Sequence, residues 1–245
     1  MTKKTILITG SNGAIGQGLC RGFKDDGWRV IGTDIQKYTN NNVDAYIPID
    51  LDLLCSDDSY REQSIKSIIN VCHEGLDVLI NNAAIQILNP ISKLTVQDWT
   101  RSINVNLNSV FILIKELLPK LKKVKGCVIN IASIHAQLTK PNFSAYATSK
   151  AALVGLTRSL SVELGAKVRV NVITPAAIST PMLEEGFSKD QKARLDLDAY
   201  HPSGVIGVVK DIVSASLYLS KAGSFVNGVN INIDGGIGTR LHDPK

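Results

Sequence analysis

Short apolar runs alternate with longer amphipathic stretches along the whole chain. Seven runs read as strands: Thr5–Thr9, Arg29–Thr33, Ala45–Ile49, Val78–Asn81, Cys127–Ile131, Arg169–Ile173 and Val229–Ile233. Most are apolar at successive rather than alternate positions, the pattern of parallel strands covered on both faces. Helical spacing fills most gaps, over Ala14–Asp26, Ser59–His73, Val96–Leu121, Ser144–Leu164 and Lys210–Leu219. This alternation predicts βαβ units and an α/β fold, a doubly wound parallel sheet of about seven strands with helices on both faces.

Right-handed crossovers bring all strand C-termini of such a Rossmann sheet to one edge, where ligands bind. No linker divides the chain, so residues 1–245 read as one domain. The least regular stretch, Pro175–Ser203, falls at the ligand edge and reads as a lid over a substrate. The segment Ile35–Asn42 is polar and short, so the second crossover falls short of a full helix.

Composition narrows the classes. Hydrophobic content of 44% and charged content of 20% are those of a soluble globular protein. The net charge of +5 is scattered, apart from Lys120, Lys122, Lys123 and Lys125, which read as a solvated helix end. No aromatic residues interleave with them, so nucleic acid is not an expected partner. Cys20, Cys55, Cys72 and Cys127 form no C-x-x-C pair and match no zinc spacing, which predicts reduced packing residues in a cytoplasmic protein. No stretch approaches a membrane span, and the apolar run at Thr5–Ile8 is too short for a signal peptide. With no His cluster or acidic pair, no metal site is expected.

The first strand runs into Thr9-Gly10-Ser11-Asn12-Gly13-Ala14-Ile15-Gly16. Glycines at such a turn let backbone approach a pyrophosphate, and the helix behind offers free N–H groups and a positive dipole end. An acid, Asp34, ends the second strand. A carboxylate there accepts both adenosine ribose hydroxyls and repels a 2′-phosphate. Ile35, not Arg, follows it, so NAD is favoured over NADP, with Lys37 as the nearest counterargument. Asp34 also has a plainer reading, as a cap of a helix or turn. Asp50-Leu51 after the third strand suits an adenine contact, and equally a turn aspartate.

Further along stands Tyr146-Ala147-Thr148-Ser149-Lys150, with Ser133 thirteen residues before the tyrosine. Four residues of helix rise about 6 Å on one face, so Lys150 can lie beside Tyr146. A phenol titrates near ~10 and is a weak base at neutral pH. A neighbouring ammonium lowers that value and suits Tyr146 to acid–base work.

These residues resemble the short-chain dehydrogenase/reductase family, in its compact branch, nearly end to end. The family's T-G-x-x-x-G-x-G turn is similar to Thr9–Gly16, and its N-N-A-G to Asn81-Asn82-Ala83-Ala84. Its catalytic Asn is similar to Asn106, its catalytic Ser to Ser133, and its Y-x-x-x-K to Tyr146 and Lys150. Its P-G-x-x-x-T is similar to Pro175-Ala176-Ala177-Ile178-Ser179-Thr180, and a closing Asp234-Gly235-Gly236 also fits. Three family glycines are alanine here, Ala14, Ala84 and Ala176, and each would carry strain if it needed positive φ.

The resemblance implies a hydride transfer between nicotinamide and a secondary alcohol or ketone. Tyr146 would be the acid/base, Ser133 would hold the substrate oxygen, and Lys150 would bond the nicotinamide ribose. Asn106 would fix a water linking Lys150 to solvent. The cradle would comprise Gly10, Asn12, Gly13, Ile15, Gly16, Asp34, Asp50, Leu51, Asn82, Ala83, Tyr146, Lys150, Pro175, Ile178 and Thr180. Asn82 and Ala83 would line the adenosine ribose, and the Ile178 backbone and Thr180 would meet the carboxamide or pyrophosphate. Gln86, His135, Gln137, Met182, Leu183 and Phe187 would line the substrate pocket, His135 as a rim residue. Each also has a bland role: packing for Tyr146, a solvated charge for Lys150, a strand-end cap for Ser133, a buried amide for Asn106. The whole chain could likewise be a dinucleotide-binding regulator without chemistry. The family often packs the helices bearing Asn106 and Tyr146 against a second copy, so a homo-oligomer, tetramer or dimer, is expected.

Overall fold

The computed structural model describes residues 3–37, 41–187 and 191–241. In chain order the elements are β1 (Thr5–Thr9), α1 (Ala14–Asp25), β2 (Arg29–Asp34), β3 (Ala45–Pro48), α2 (Leu51–Ser56), α3 (Asp58–Val71), β4 (Val78–Asn81) and α4 (Val96–Ile103). A π-helical turn (Asn104–Asn108) joins α4 to α5 (Ser109–Lys123). Then follow β5 (Cys127–Ile131), α6 (Ser144–Leu164), β6 (Arg169–Pro175), β7 (Ile178–Ser179), α7 (Pro181–Gly186), α8 (Gln191–Tyr200), β8 (Gly207–Val208), α9 (Val209–Lys221) and β9 (Asn230–Ile233).

Seven strands form one sheet in the order β3-β2-β1-β4-β5-β6-β9, and every pairing is parallel. The order reverses between β1 and β4, so the ends of these two strands frame the crevice where dinucleotides bind in such sheets.

The unbroken apolar runs follow from this arrangement. Successive residues of β1 pack into two different cores, Leu7 with one face and Ile6 and Ile8 with the other. The same split divides Leu79 from Val78 and Ile80, and Val128 from Cys127 and Ile129. Residues of α2, α3, α5 and α6 close the first face, and α1 and α9 close the second. Each fully buried Leu or Ile contributes about 1.5–3 kcal/mol, so both faces anchor the sheet edge that carries the site. Cys20, Cys72 and Cys127 are buried in these cores, and burial raises their thiols to about 12, 11 and 11.

Several boundaries differ from the sequence reading. A short helix, α2, follows β3 because the Asp50 carboxylate accepts from the Asp52 and Leu53 amides and caps it. Val96–Leu121 is not one regular helix. It changes to π geometry at Asn104–Asn108, as helices often do at functional sites. Pro175–Ser203, the least regular stretch by sequence, holds β7, α7 and α8, and β7 pairs with β8. Residues 188–190 of that stretch lie outside the described residues, as do 38–40 of Ile35–Asn42. No helix falls in the described remainder of Ile35–Asn42.

Candidate active site

The Gly-rich turn is shaped by two contacts that exclude any side chain. Gly10 has φ +66, and a Cβ on it would lie 2.8 Å from Ala83 Cα. A Cβ on Gly16 would lie 1.9 Å from the Gly10 carbonyl oxygen. Gly13 is less constrained, with φ −69 and ordinary clearance of 3.5 Å. Thr9 and Asn82 strap the turn to the end of β4. The Thr9 hydroxyl accepts from the Asn82 and Ala83 amides at 3.0 Å each, and Asn82 Nδ2 donates to the Thr9 and Gly10 carbonyls. No side chain caps α1, whereas Asp50, Asp57 and Thr95 cap α2, α3 and α4. Leading N–H groups of α1 are thus left for an anion, and the backbone fits a pyrophosphate. Ala14, Ala84 and Ala176 are not among the described residues with positive φ, so they carry no such strain.

Asp34, at the end of β2, faces this turn. Its Oδ2 accepts from the Asn12 amide at 3.0 Å and its Oδ1 from the Ile35 amide at 2.8 Å. It is therefore a cap, and each oxygen keeps a further lone pair for a sugar hydroxyl. Asp50 does not end a strand. It caps α2 through Oδ1, while Leu51 turns its side chain into the core, 8% exposed, because it opens the helix on the inner face. Ile15 packs half-buried against the second core.

The four chemistry-bearing residues converge above β4 and β5. Lys150 is 2% exposed. Its ammonium donates to the Ile131 carbonyl at 2.8 Å and lies 5.7 Å from the centre of the Tyr146 ring. Burial pushes the ammonium down to about 8. The Tyr146 phenol is pushed up by burial, against a hydrogen bond from Ser133 that lowers it. The sequence argument had Lys150 lowering the phenol; in the free protein desolvation outweighs any such effect. Ser133 is buried, and its oxygen also accepts from the His135 amide at 3.3 Å.

Asn106 sits in the π turn, 1% exposed. Its Oδ1 accepts from the Ile85 amide at 2.9 Å, and its Nδ2 donates to the Ile85 carbonyl and the Ser149 hydroxyl at 3.0 Å each. Both amide hydrogens are thus committed to protein, so the side chain cannot donate to a water as well. The Ser149 hydroxyl donates onward to the Tyr146 carbonyl at 2.7 Å, tying Asn106 to the helix of Tyr146 and Lys150.

His135 stacks on Phe143 with ring centres 4.0 Å apart and meets Tyr146 edge-on at 5.8 Å. Burial, then Lys140, holds its imidazole down to about 4, so it is neutral at physiological pH. Gln86 and Gln137 are exposed, and Leu183 and Phe187 half-buried; the Met182 side chain lies outside the described residues. Pro175 ends β6, Ile178 is buried in β7, and the Thr180 hydroxyl accepts from the Leu183 amide at the start of α7.

A family model for enoyl-(acyl carrier protein) reductase matches residues 10–238. The 3-oxoacyl-[acyl-carrier-protein] reductase FabG of Thermotoga maritima is 32% identical over 96% of this chain and 97% of its own length. The 3beta-hydroxysteroid dehydrogenase 1 of Eggerthella lenta is 29% identical over 96% and 93%. Among solved structures, 4-hydroxyisoleucine dehydrogenase complexed with NADH superposes with a TM-score of 0.86 at 33% identity, covering 98% of this chain and 100% of that one. The chain belongs to the short-chain dehydrogenase/reductase family. It is a nicotinamide-dinucleotide-dependent oxidoreductase of that family.

Within this short-chain dehydrogenase/reductase site, sequence reasoning passed over Thr9, Ile131, Phe143 and Ser149. Thr9 opens the Gly-rich motif but was given no role of its own, and Ser149 stands beside Lys150; their short hydroxyls were the available signal. Ile131 acts through a backbone carbonyl and Phe143 through stacking, and neither leaves a mark in a motif.

Proposed function

We propose that this chain interconverts a secondary alcohol and its ketone, with NAD as the preferred hydride carrier. The observation that carries the reading is the buried Lys150 ammonium beside the Tyr146 ring, with Ser133 on the phenol. When bound, the dinucleotide supplies or accepts the hydride at nicotinamide C4. The protein's own residues handle the rest. Ser133 holds the substrate oxygen and aims it at Tyr146. Tyr146 donates its proton to a ketone oxygen in reduction and takes one from the alcohol in oxidation. Lys150 supplies fixed positive charge and a donor for the nicotinamide ribose. Asn106 acts by holding Ile85 and Ser149, and a water of the proton path would rest on its backbone or on the remaining Oδ1 lone pair. The relatives' names, with hydroxysteroid, hydroxyisoleucine and 3-oxoacyl groups, fit a carbinol or ketone carbon as the reacting centre.

Asp34 supports NAD over NADP, since its free lone pairs suit ribose hydroxyls and its charge opposes a 2′-phosphate. Asp50 Oδ2 takes no part in the helix cap and suits the adenine amino group. Residues 175–203 act as the substrate lid. Arg194 of α8 joins Glu184 of α7 at 2.9 Å and Asp198 at 2.9 Å, so the two helices would move together. A homo-oligomer through α5 and α6 would cover Phe111, 48% exposed, and Val162, 84% exposed. Gly155 of α6 lies on the open face, where a second helix could approach closely. Among the described residues no helix is long and apolar enough to cross a membrane, and with four free cysteines this suits a cytoplasmic protein.

The test is absorbance of reduced nicotinamide with NAD or NADP and a panel of secondary alcohols and ketones. Turnover with NAD preferred supports the reading. No change with any substrate would instead favour a dinucleotide-binding regulator, and a preference for NADP would refute the role of Asp34.

A further inference from the structure

The π turn that sets Asn106 is held from outside by α2. Its first residue, Asn104, donates through Nδ2 to Asp52 Oδ1 at 2.8 Å, and its carbonyl accepts from the Cys55 thiol at 3.4 Å. The same carbonyl takes the Ser109 amide, the five-residue bond that makes the turn π rather than α. Asn104 Oδ1 accepts from Asn108 Nδ2 at 2.9 Å, which fixes the amide across the turn. The bond to Asp52 is partly buried and ends on a carboxylate, so it is stronger than the thiol contact beside it. Asp52 is tied on its other side as well. Its backbone amide donates to Asp50 Oδ1 at 2.8 Å, and Asp50 is the residue that suits the adenine amino group. Beyond the π turn, Asn106 donates to Ser149, which donates to the Tyr146 carbonyl. Hydrogen bonds thus lead from the adenine end of the cradle to the helix of Tyr146 and Lys150, and the Asp52–Asn104 pair is the step between α2 and the π turn.

We propose that Asp52 is a positioning residue for the reaction: through Asn104 it carries the seating of adenosine at Asp50 to the π turn, and so to the hold of Asn106 on Ile85 and Ser149. The proposal rests on Asp50 as the adenine contact. Asp52 acts only through Asn104. By this route binding energy from the adenosine half, remote from the hydride, orders the catalytic end.

Amide hydrogen exchange of the free protein, with and without AMP, tests this without turnover. In wild type AMP slows exchange of the Asp52 and Leu53 amides, which Asp50 holds, and of the Ile85 amide, which Asn106 Oδ1 holds. The slowing at Ile85 is about tenfold, the worth of one hydrogen bond to a carboxylate. Asp52→Ala and Asn104→Ala still bind AMP by calorimetry and keep the slowing in α2, but lose it at Ile85. Asp52→Asn keeps a side-chain oxygen for Asn104 and keeps the slowing at both places. Asp52 and Asn104 are half-buried and Asp52→Asn preserves shape, so a folded comparison remains if one alanine variant is damaged. Slowing at Ile85 that survives in the alanine variants overturns the proposal. Wild type in which AMP protects α2 but not Ile85 also overturns it, because the pair is then only a scaffold. AMP that binds wild type without slowing exchange in α2 contradicts the Asp50 reading itself, and the coupling falls with it.

Discussion

The Lys150 ammonium lies 5.7 Å from the centre of the Tyr146 ring, yet its hydrogen bond goes to the Ile131 carbonyl at 2.8 Å. The amine is therefore positioned by β5, not by the phenol it influences. Burial moves the two groups in opposite senses, Tyr146 up and Lys150 down to about 8. At neutral pH in the free protein the phenol keeps its proton and most of the amine is charged. Such a pair is ready to donate a proton. Accepting one calls for the further positive charge that an oxidised nicotinamide brings.

Lys150 gives a stability signature. Its folded value is about 8 against an ordinary 10.5, so between these pH values the unfolded chain binds more protons and stability rises with pH. Lys150→Met removes that contribution. Urea unfolding of both proteins should show wild type gaining on the variant as pH rises through this window, by about 3 kcal/mol at most. A constant difference would mean that the amine is hydrated.

Asn106 holds both polar groups of the Ile85 backbone. Asn106→Ala leaves them without their partner and should cost about 2–4 kcal/mol. Asn106→Asp keeps the acceptor but cannot donate to the Ile85 carbonyl, so it should be destabilised too. Denaturation midpoints check both. If Asn106→Ala unfolds at the wild-type midpoint, the loop over β4 does not depend on this amide.

Gly16 and Gly13 should separate cleanly. A methyl at Gly16 meets the Gly10 carbonyl at 1.9 Å, so Gly16→Ala should lose about 1–3 kcal/mol and weaken AMP binding. Gly13→Ala has 3.5 Å of room and should cost about 1 kcal/mol at most, through the weaker alanine cap alone, with AMP binding kept. Thermal melts with AMP titration distinguish them, and equal effects would contradict the packing of this turn.

Much of this architecture was legible because burial on both faces writes itself as unbroken apolar runs, as in Ile6-Leu7-Ile8. The motif residues were legible because their spacing on α6 brings Tyr146 and Lys150 to one side. What escaped depends on backbone geometry. The π turn at Asn104–Asn108 has no composition that sets it apart from the flanking helix. Helix α2 is capped by Asp50, an aspartate equally at home in a turn. The helices α7 and α8 are short and held partly by the Glu184–Arg194–Asp198 ion pairs, so their apolar periodicity is weak. For Asp34 the plain reading and the functional one coexist, because a carboxylate has lone pairs for a cap and for a sugar.

Tyr146 as the proton-exchanging group is tested most directly by ultraviolet titration of wild type against Tyr146→Phe, with and without oxidised NAD. The account predicts one extra phenol in wild type, ionising above the ordinary ~10 in the free protein and moving to lower pH when NAD is bound. Titration curves that coincide for the two proteins, or an extra ionisation that NAD leaves in place, would contradict it.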